Sequence, residues 1–332
     1  MINKLSSLSD AVNKYVHDRS IIAMGGFPLS RETPIFFKEI LRQHRAGILN
    51  VNDLTLVGPS ITLGGSMLVA EGLVDSVISP FAGHERPGLS VIAKEALEKG
   101  LPRKIKWEDE SNLSLAMRLM AGALNLPFIT CTSGIWGDLK KQGLVEGMGP
   151  YPKNIVMEDP FGSARKVALL QAIMPDISVL HVPFADIHGN GIVLGSGYHD
   201  IWISRAGKNT ILIADHIIDT EACRRYPNLV MFPGAGVSAV VPWRFGAWPT
   251  NCVGLYKEDV DHMQYFLKNS RRETLQEYME KYVYSWNSHD EYLDVIGKNR
   301  IDFLEDDPST VLSEPLRPWI LPADKVAALL PG

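Results

Sequence analysis

Three short strings set reactive or anion-binding residue types at the ends of apolar runs. Met24-Gly25-Gly26-Phe27 closes the strand-like run 20–24. Paired glycines there let backbone N–H groups approach an oxyanion or phosphate closely, or serve a turn that needs φ > 0. No Gly-Lys-Ser/Thr follows and the spacing of a dinucleotide fingerprint is missing, so nucleotide binding is not indicated. Gly83-His84-Glu85-Arg86-Pro87-Gly88 follows the run 77–79 and crowds ionisable groups between glycines. That composition suits a catalytic loop or a solvated charged one. Glu108-Asp109-Glu110-Ser111-Asn112 follows the run 104–107 and opens a helical pattern. Asp109 or Ser111 is suited to cap that helix, and such a carboxylate gains from the helix N-terminus.

Two further strings leave their chemistry open. His181-Val-Pro-Phe-Ala-Asp186-Ile-His188-Gly189-Asn190 mixes imidazoles with a carboxylate. Placing His181 in a strand and Asp186 and His188 in the turn after it favours a hydrogen-bonded turn over a ligand set, and no metal is expected. Pro242-Trp243-Arg244-Phe245-Gly246-Ala247-Trp248-Pro249 reads equally as a core corner, an acyl-pocket wall or an interface. Cys131, Cys223 and Cys252 are odd in number and far apart, which suggests neither a disulfide framework nor structural zinc and fits a reducing cytoplasm.

The elements that must position these strings alternate. Strand-like runs at 54–57, 77–79, 104–107 and 128–132 are separated by helical stretches at 65–71, 89–99 and 112–124. Thr33-Pro34 fits an N-cap with proline at the first helical position, opening a helix to about Gln43. The pattern predicts an open, mainly parallel sheet with helices on both faces. Gly134, Gly137, Gly143, Gly147, Gly149, Pro150 and Pro152 mark a long excursion, a lid or a subunit contact. Strands resume at 177–182, 191–194, 210–214 and 238–241, and from Asp259 the pattern turns helical. The expected division is an α/β domain over 1–258 and a C-terminal helical segment over 259–332 packed on it.

With 332 residues, 45% hydrophobic and 21% charged, the chain has the mix of a soluble globular protein, which excludes disorder, collagen and coiled coil. A net charge of −5 with interspersed signs offers no basic stripe for nucleic acid. The N-terminus runs straight into an amphipathic pattern, and the apolar runs are too short to span a bilayer, so an unexported, cytoplasmic protein is expected.

Taken in order, Gly25-Gly26-Phe27 with Arg31 and Pro34, then Leu119-Met-Ala-Gly-Ala-Leu-Asn-Leu-Pro-Phe128, then His181-x4-Asp186-x2-Gly189-Asn190, resemble the α subunit of family I CoA-transferases. Gly246-Ala247-Trp248-Pro249-Thr250-x-Cys252-x-Gly254-x-Tyr256 and His289-Asp290-Glu291-Tyr292 look like its glutaconate branch. The resemblance runs to about Leu304. It implies pairing with a homologous β subunit, forming an α2β2 heterotetramer, with the active site at their contact and the nucleophilic glutamate on the β subunit. It implies no cofactor, the CoA thioester being a substrate. Gly25, Gly26 and Phe27 would line the site, Arg31 would hold a carboxylate, and the Gly83-His84-Glu85 loop would face the acyl group, with Ser111 near it. Glu110 stands where the glutaconate branch has an aromatic residue. It points to an alternative, a related ring-opening hydrolase acting on a cyclic diketone CoA ester with Glu110 as acid/base.

Overall fold

Strand β1 (Ile21–Met24) lies at the centre of the sheet, and its side chains explain the layers. Ile22 and Met24 enter one core while Ala23 enters another. Alternation along a strand sends successive side chains to opposite faces, so a strand buried on both faces is apolar throughout. In this computed structural model, which describes residues 2–132, 153–163 and 165–331, β1 pairs in parallel with β2 (Leu54–Val57) and β8 (Ile177–Asp186). On one side the parallel order continues through β2 to β3 (Val74–Ser79) and β4 (Lys106–Asp109). On the other it continues through β8 to β10 (Asn209–Ile218) and β12 (Ala239–Pro242). The far half of β8 turns back in a hairpin to β9 (Gly191–Ile192), which pairs antiparallel with β11 (Val230–Phe232). Among the described residues this sheet has nine strands.

Helices cover both faces. α1 (Leu8–Tyr15), α2 (Pro34–Arg45), α3 (Leu63–Ala70) and α4 (Val91–Glu98) pack on the face of Ile22, and α5 (Asn112–Ala123) and α6 (Asp200–Ala206) on the face of Ala23. The short α7 (Thr220–Arg225) follows β10 and is capped by the Asp219 side chain. Proline stands at the start of α2 as expected, but the Thr33 hydroxyl makes no capping bond. Ser111 does cap α5, and the Ser111 and Ser114 side chains each accept the other's backbone N–H.

One expectation is corrected by long-range pairing. β5 (Phe128–Cys131) leaves the parallel sheet and forms a separate antiparallel sheet with β6 (Asn154–Glu158) and β7 (Lys166–Gln171), in the order β5-β7-β6. The expected C-terminal helices are present as α8 (Val260–Lys268), α9 (Arg272–Met279), α10 (His289–Ile296) and α11 (Lys298–Glu305), and Phe266, Met279, Tyr292 and Leu304 share one core with α2 and β1. The expected excursion from Gly134 to Pro152 lies outside the described residues. Among the described residues no helix is long and apolar enough to cross a membrane.

Candidate active site

Sequential strands leave β1 in one direction and β8 leaves it in the other, so the carboxyl ends of β1 and β8 form a topological switch point. In open parallel sheets such a point opens a crevice where ligands bind. Gly25 and Gly26 stand there. Gly26 has φ +84, and a Cβ on it would meet the Ser30 carbonyl oxygen at 2.5 Å, so the turn requires glycine.

The amides of this turn are engaged within the chain. Gly25 N–H donates to the Val179 carbonyl at 2.9 Å, Gly26 N–H to Asp200 Oδ1 at 2.7 Å, and Phe27 N–H to the Ser30 carbonyl at 2.8 Å. These glycines therefore shape a wall, with their donors turned inward. Asp200, at the start of α6, has its other oxygen 2.8 Å from Arg31 Nη1. Arg31 also donates to the carbonyls of His181 (3.2 Å) and Ser196 (2.6 Å), and neither Arg31 nor Asp200 is exposed. The carboxylate that Arg31 holds is thus the chain's own. Above it Phe27 stacks on Tyr198, with ring centroids 4.9 Å apart; Tyr198 is 41% exposed and leaves an aromatic surface facing solvent.

Neighbouring strand-end loops are tied to this turn. Thr62 Oγ1 donates to Glu32, and Glu32 N–H donates to Thr250 Oγ1 at 3.1 Å. Burial raises the Glu32 carboxyl well above the usual carboxylate range. Ser60 Oγ donates to the Gly83 carbonyl at 2.7 Å. Gly83 has φ +147, and a Cβ there would meet the Gly88 carbonyl oxygen at 2.6 Å.

Within that loop the three sequence candidates part. His84 is buried against Phe266 of α8 and burial lowers its pKa to about 4; the Pro28 carbonyl beside the ring offsets a little of that drop, outside hydrogen-bonding geometry. Its position suits packing of the two loops more than proton transfer near neutrality. Glu85 is exposed with φ +56, a left-handed conformation costly for a residue with a side chain. Arg86 reaches Glu258 at 3.4 Å.

Glu110 lies just past β4 with its side chain unexposed. Arg118 of α5 pairs with both Glu108 and Glu110, Ser114 Oγ donates to Glu110, and Lys153 Nζ stands 3.6 Å from it while donating to the Asp109 carbonyl. Among the described residues two carboxylates and two cations meet in this buried quartet, and such pairing is the condition for burying charge at all. Ser111 is occupied as the helix cap.

The remaining strings take structural roles. Asp186 ends β8 and accepts the His188 and Asn190 N–H groups at 2.9 and 2.8 Å, the hydrogen-bonded turn. The 242–249 string is a core corner, with Phe245, Ala247 and Trp248 buried. His181, Asp215 and Cys252 lie within 4.8 Å of one another, all buried. Asp215 sits 2.8 Å from His181 Nε2 and accepts the Phe245 N–H at 2.5 Å and the Tyr256 hydroxyl at 3.2 Å. With burial foremost and Asp215 second, the Cys252 thiol is held far above its usual range, and Asp215 is the group at the centre of this cluster. Asp200, Glu32 and Asp215 escaped the sequence reading. The only signal for Asp200 was an acid at a helix start after the glycine-rich 195–197.

A family model described as coenzyme A transferase matches residues 5–242. This chain belongs to that family. It is 30% identical over 308 residues to the A-type subunit of glutaconate CoA-transferase from Acidaminococcus fermentans, spanning 90% of this chain and 94% of that protein. The crystal structure of that enzyme matches with a TM-score of 0.84, covering 97% of this chain and 99% of the other. A protein of Archaeoglobus fulgidus is 32% identical over 303 residues, 90% of this chain, and the chain spans 64% of that protein's length. One subunit of a cholesterol ring-cleaving hydrolase from Rhodococcus jostii is 24% identical over 227 residues, covering 66% of this chain and 70% of that one. The predicted open parallel sheet and the expected family, a CoA-transferase subunit of the A type, both hold. In this CoA-transferase chain the switch-point wall and the loops after β1, β2 and β3 form one connected surface.

Proposed function

We propose that this chain is the α subunit of a heteromeric CoA-transferase that moves CoA between an acyl-CoA and a carboxylic acid, with the nucleophilic glutamate on a homologous β subunit in an α2β2 assembly. The observation that carries this reading is the engagement of the buried carboxylates at the strand ends. Asp200 is held by Arg31 and the Gly26 amide, Glu32 accepts from Thr62 with its pKa pushed upward by burial, and Glu108 and Glu110 share Arg118. A wall of this kind suits an attacking carboxylate delivered from a second chain, with Phe27, Tyr198 and Glu85 turned toward the bound acyl group.

The chemistry is nucleophilic carboxylate catalysis. A glutamate oxygen attacks the thioester carbonyl carbon, the C–S bond breaks, and CoA leaves as a thiolate from a mixed anhydride. The thiolate then attacks the glutamyl carbonyl and expels the donor carboxylate, giving an enzyme-CoA thioester. An acceptor carboxylate runs the two steps in reverse. CoA passes from one acyl group to the other with no oxidation or reduction, so no cofactor is required. We place the enzyme in the cytoplasm, where its three buried cysteines stay reduced.

The test is to purify the chain with and without the product of its genomic neighbour and assay CoA exchange among several acyl-CoAs and carboxylates. The isolated chain should be inert and the pair active. Full activity from the isolated chain would overturn the two-subunit reading. The second reading, a ring-opening hydrolase acting on a cyclic diketone CoA ester, is favoured by the buried Glu110 carboxylate beside Ser114 at a strand end.

A further inference from the structure

A second, separate cleft of about 380 Å³ opens where β10 ends, walled by His216, Arg244 and Leu255 on one side and by Glu305, Arg317 and Ile320 of the C-terminal segment on the other. It shares no residue with the switch-point wall, the 83–88 loop or the Glu110 quartet. Its floor is rigid, because Leu321 N–H donates to the Ile217 carbonyl at 2.8 Å and Asp219 N–H to the Trp319 carbonyl at 2.9 Å. The segment bearing Arg317 is thereby bound to the end of β10, and Arg317 Nε donates to the buried Ser313 Oγ at 3.2 Å.

The charges in this cleft do not cancel. Arg244 is paired with Glu305, while Arg317 has no carboxylate within 4 Å among the described residues. His216 stacks on Phe184 with centroids 5.8 Å apart and makes no hydrogen bond to another described residue. Burial is the main cause of its lowered pKa, so at neutral pH the ring is uncharged and offers a single N–H. The Thr310 hydroxyl is committed to the Asp307 carbonyl at 2.7 Å. Among the groups that line the cleft the net excess is one positive charge, carried by Arg317, while Asp215, next to His216 in sequence, is engaged outside the lining by His181, the Phe245 N–H and the Tyr256 hydroxyl; open donors remain on Arg317 and His216, with the aliphatic surfaces of Leu255 and Ile320 alongside.

We propose that this cleft binds a small aliphatic monocarboxylate, its head between Arg317 and His216 and its chain against Leu255 and Ile320. One excess cation matches a monoanion, and a guanidinium fork matches the two oxygens of a carboxylate. A phosphate dianion would bring a second negative charge toward Glu305 with no cation left to meet it. The alkyl wall gives a short carbon chain what it cannot give an inorganic ion.

The test uses the full chain with isotope-labelled histidine rings, which gives nine signals, the His216 signal being identified by its loss in His216→Gln. Sodium butyrate is titrated against sodium phosphate and sodium chloride at matched ionic strength. Butyrate should move the His216 signal saturably, and in Arg317→Gln the affinity should fall at least tenfold. Arg317→Lys should retain part of it, since charge survives without the fork. Arg317 is exposed, so these variants should fold as the wild type does. The proposal is overturned by a His216 signal unmoved by butyrate, by equal affinity in Arg317→Gln, or by a shift that phosphate produces and butyrate does not. Because the readout is local to His216, carboxylate binding at the switch-point wall does not imitate it, and the outcome does not depend on the transferase reading.

Discussion

Arg31 and Asp200 form an ion pair of 2.8 Å in which neither side chain reaches solvent, and it fixes the glycine turn to the start of α6. Removing one partner strands a buried charge, which typically costs about 3–5 kcal/mol. Arg31→Met should lower stability by that amount. Arg31→Lys should lose less, because the charge remains while the fork to the His181 and Ser196 carbonyls is lost. Urea unfolding of the two variants measures both; a loss under about 1 kcal/mol in Arg31→Met would show that the pair does not support the turn.

Lys38 of α2 is buried with no hydrogen-bond partner for its amine among the described residues, and its Nζ sits 5.1 Å from the Trp248 ring and 5.4 Å from the Tyr292 ring. Burial lowers its pKa to about 7 against 10.5 for an ordinary lysine. Between those values the unfolded chain binds more protons, so this group's contribution makes stability rise with pH through the window and fall as pH returns toward 7. Lys38→Met keeps the volume and removes the titration. From pH 7 to 9 the wild type should gain up to about 3 kcal/mol relative to the variant, and parallel urea curves at the two pH values test it.

His84 gives the acid-side counterpart. Its pKa is about 4 in the fold and 6.5 as the ordinary value, so the unfolded chain takes the proton first. The contribution is complete above pH 6.5 and is lost as pH falls through 6.5 toward 4. His84→Leu should remove about 3 kcal/mol of the stability lost between pH 6.5 and 4. His262, buried at about 3 for the same reason, will keep part of the acid sensitivity in that variant.

The sheet was legible because its signal is local. The run 54–57 is β2 to the residue, and Ser111 before a helical pattern marks the start of α5. β5 was placed in the wrong sheet because its partner strand begins only at Lys166, and composition carries no information about such a pairing. The glycine turn was visible as a turn, but the destination of its N–H groups was not, since Asp200 lies 174 residues away. Glu32, Lys38 and Asp200 are single letters that in sequence look like surface charges, and only the fold reveals that each is buried.

Glu85 is the exposed member of its loop and, in the transferase reading, faces the acyl chain. A carboxylate there disfavours a dicarboxylic acyl group by like-charge repulsion. Glu85→Ser should therefore shift relative kcat/KM toward dicarboxylic acyl-CoAs more than it changes the rate with the best substrate. Unchanged ratios between neutral and dicarboxylic acyl-CoAs would return Glu85 to the role of a solvated loop residue.

Glu110 decides between the two functional readings. In the transferase it is one corner of the quartet with Glu108, Arg118 and Lys153, and Glu110→Gln keeps the acceptor that Ser114 uses while removing a charge. The expected result is a loss of stability from the unbalanced cations with kcat reduced only modestly. In the hydrolase the same change removes the proton-transfer group, and kcat should fall about 100-fold or more with stability changed in the same way. Stability therefore reports the quartet and kcat reports the chemistry, so the two effects separate. The covalent intermediate supplies the second readout. Incubating the assembled complex with acyl-CoA and weighing both subunits by mass spectrometry should find a CoA adduct on the partner subunit, removed by hydroxylamine. An adduct together with an active Glu110→Gln supports transfer, whereas no adduct together with an inactive Glu110→Gln reassigns the enzyme to C–C bond hydrolysis.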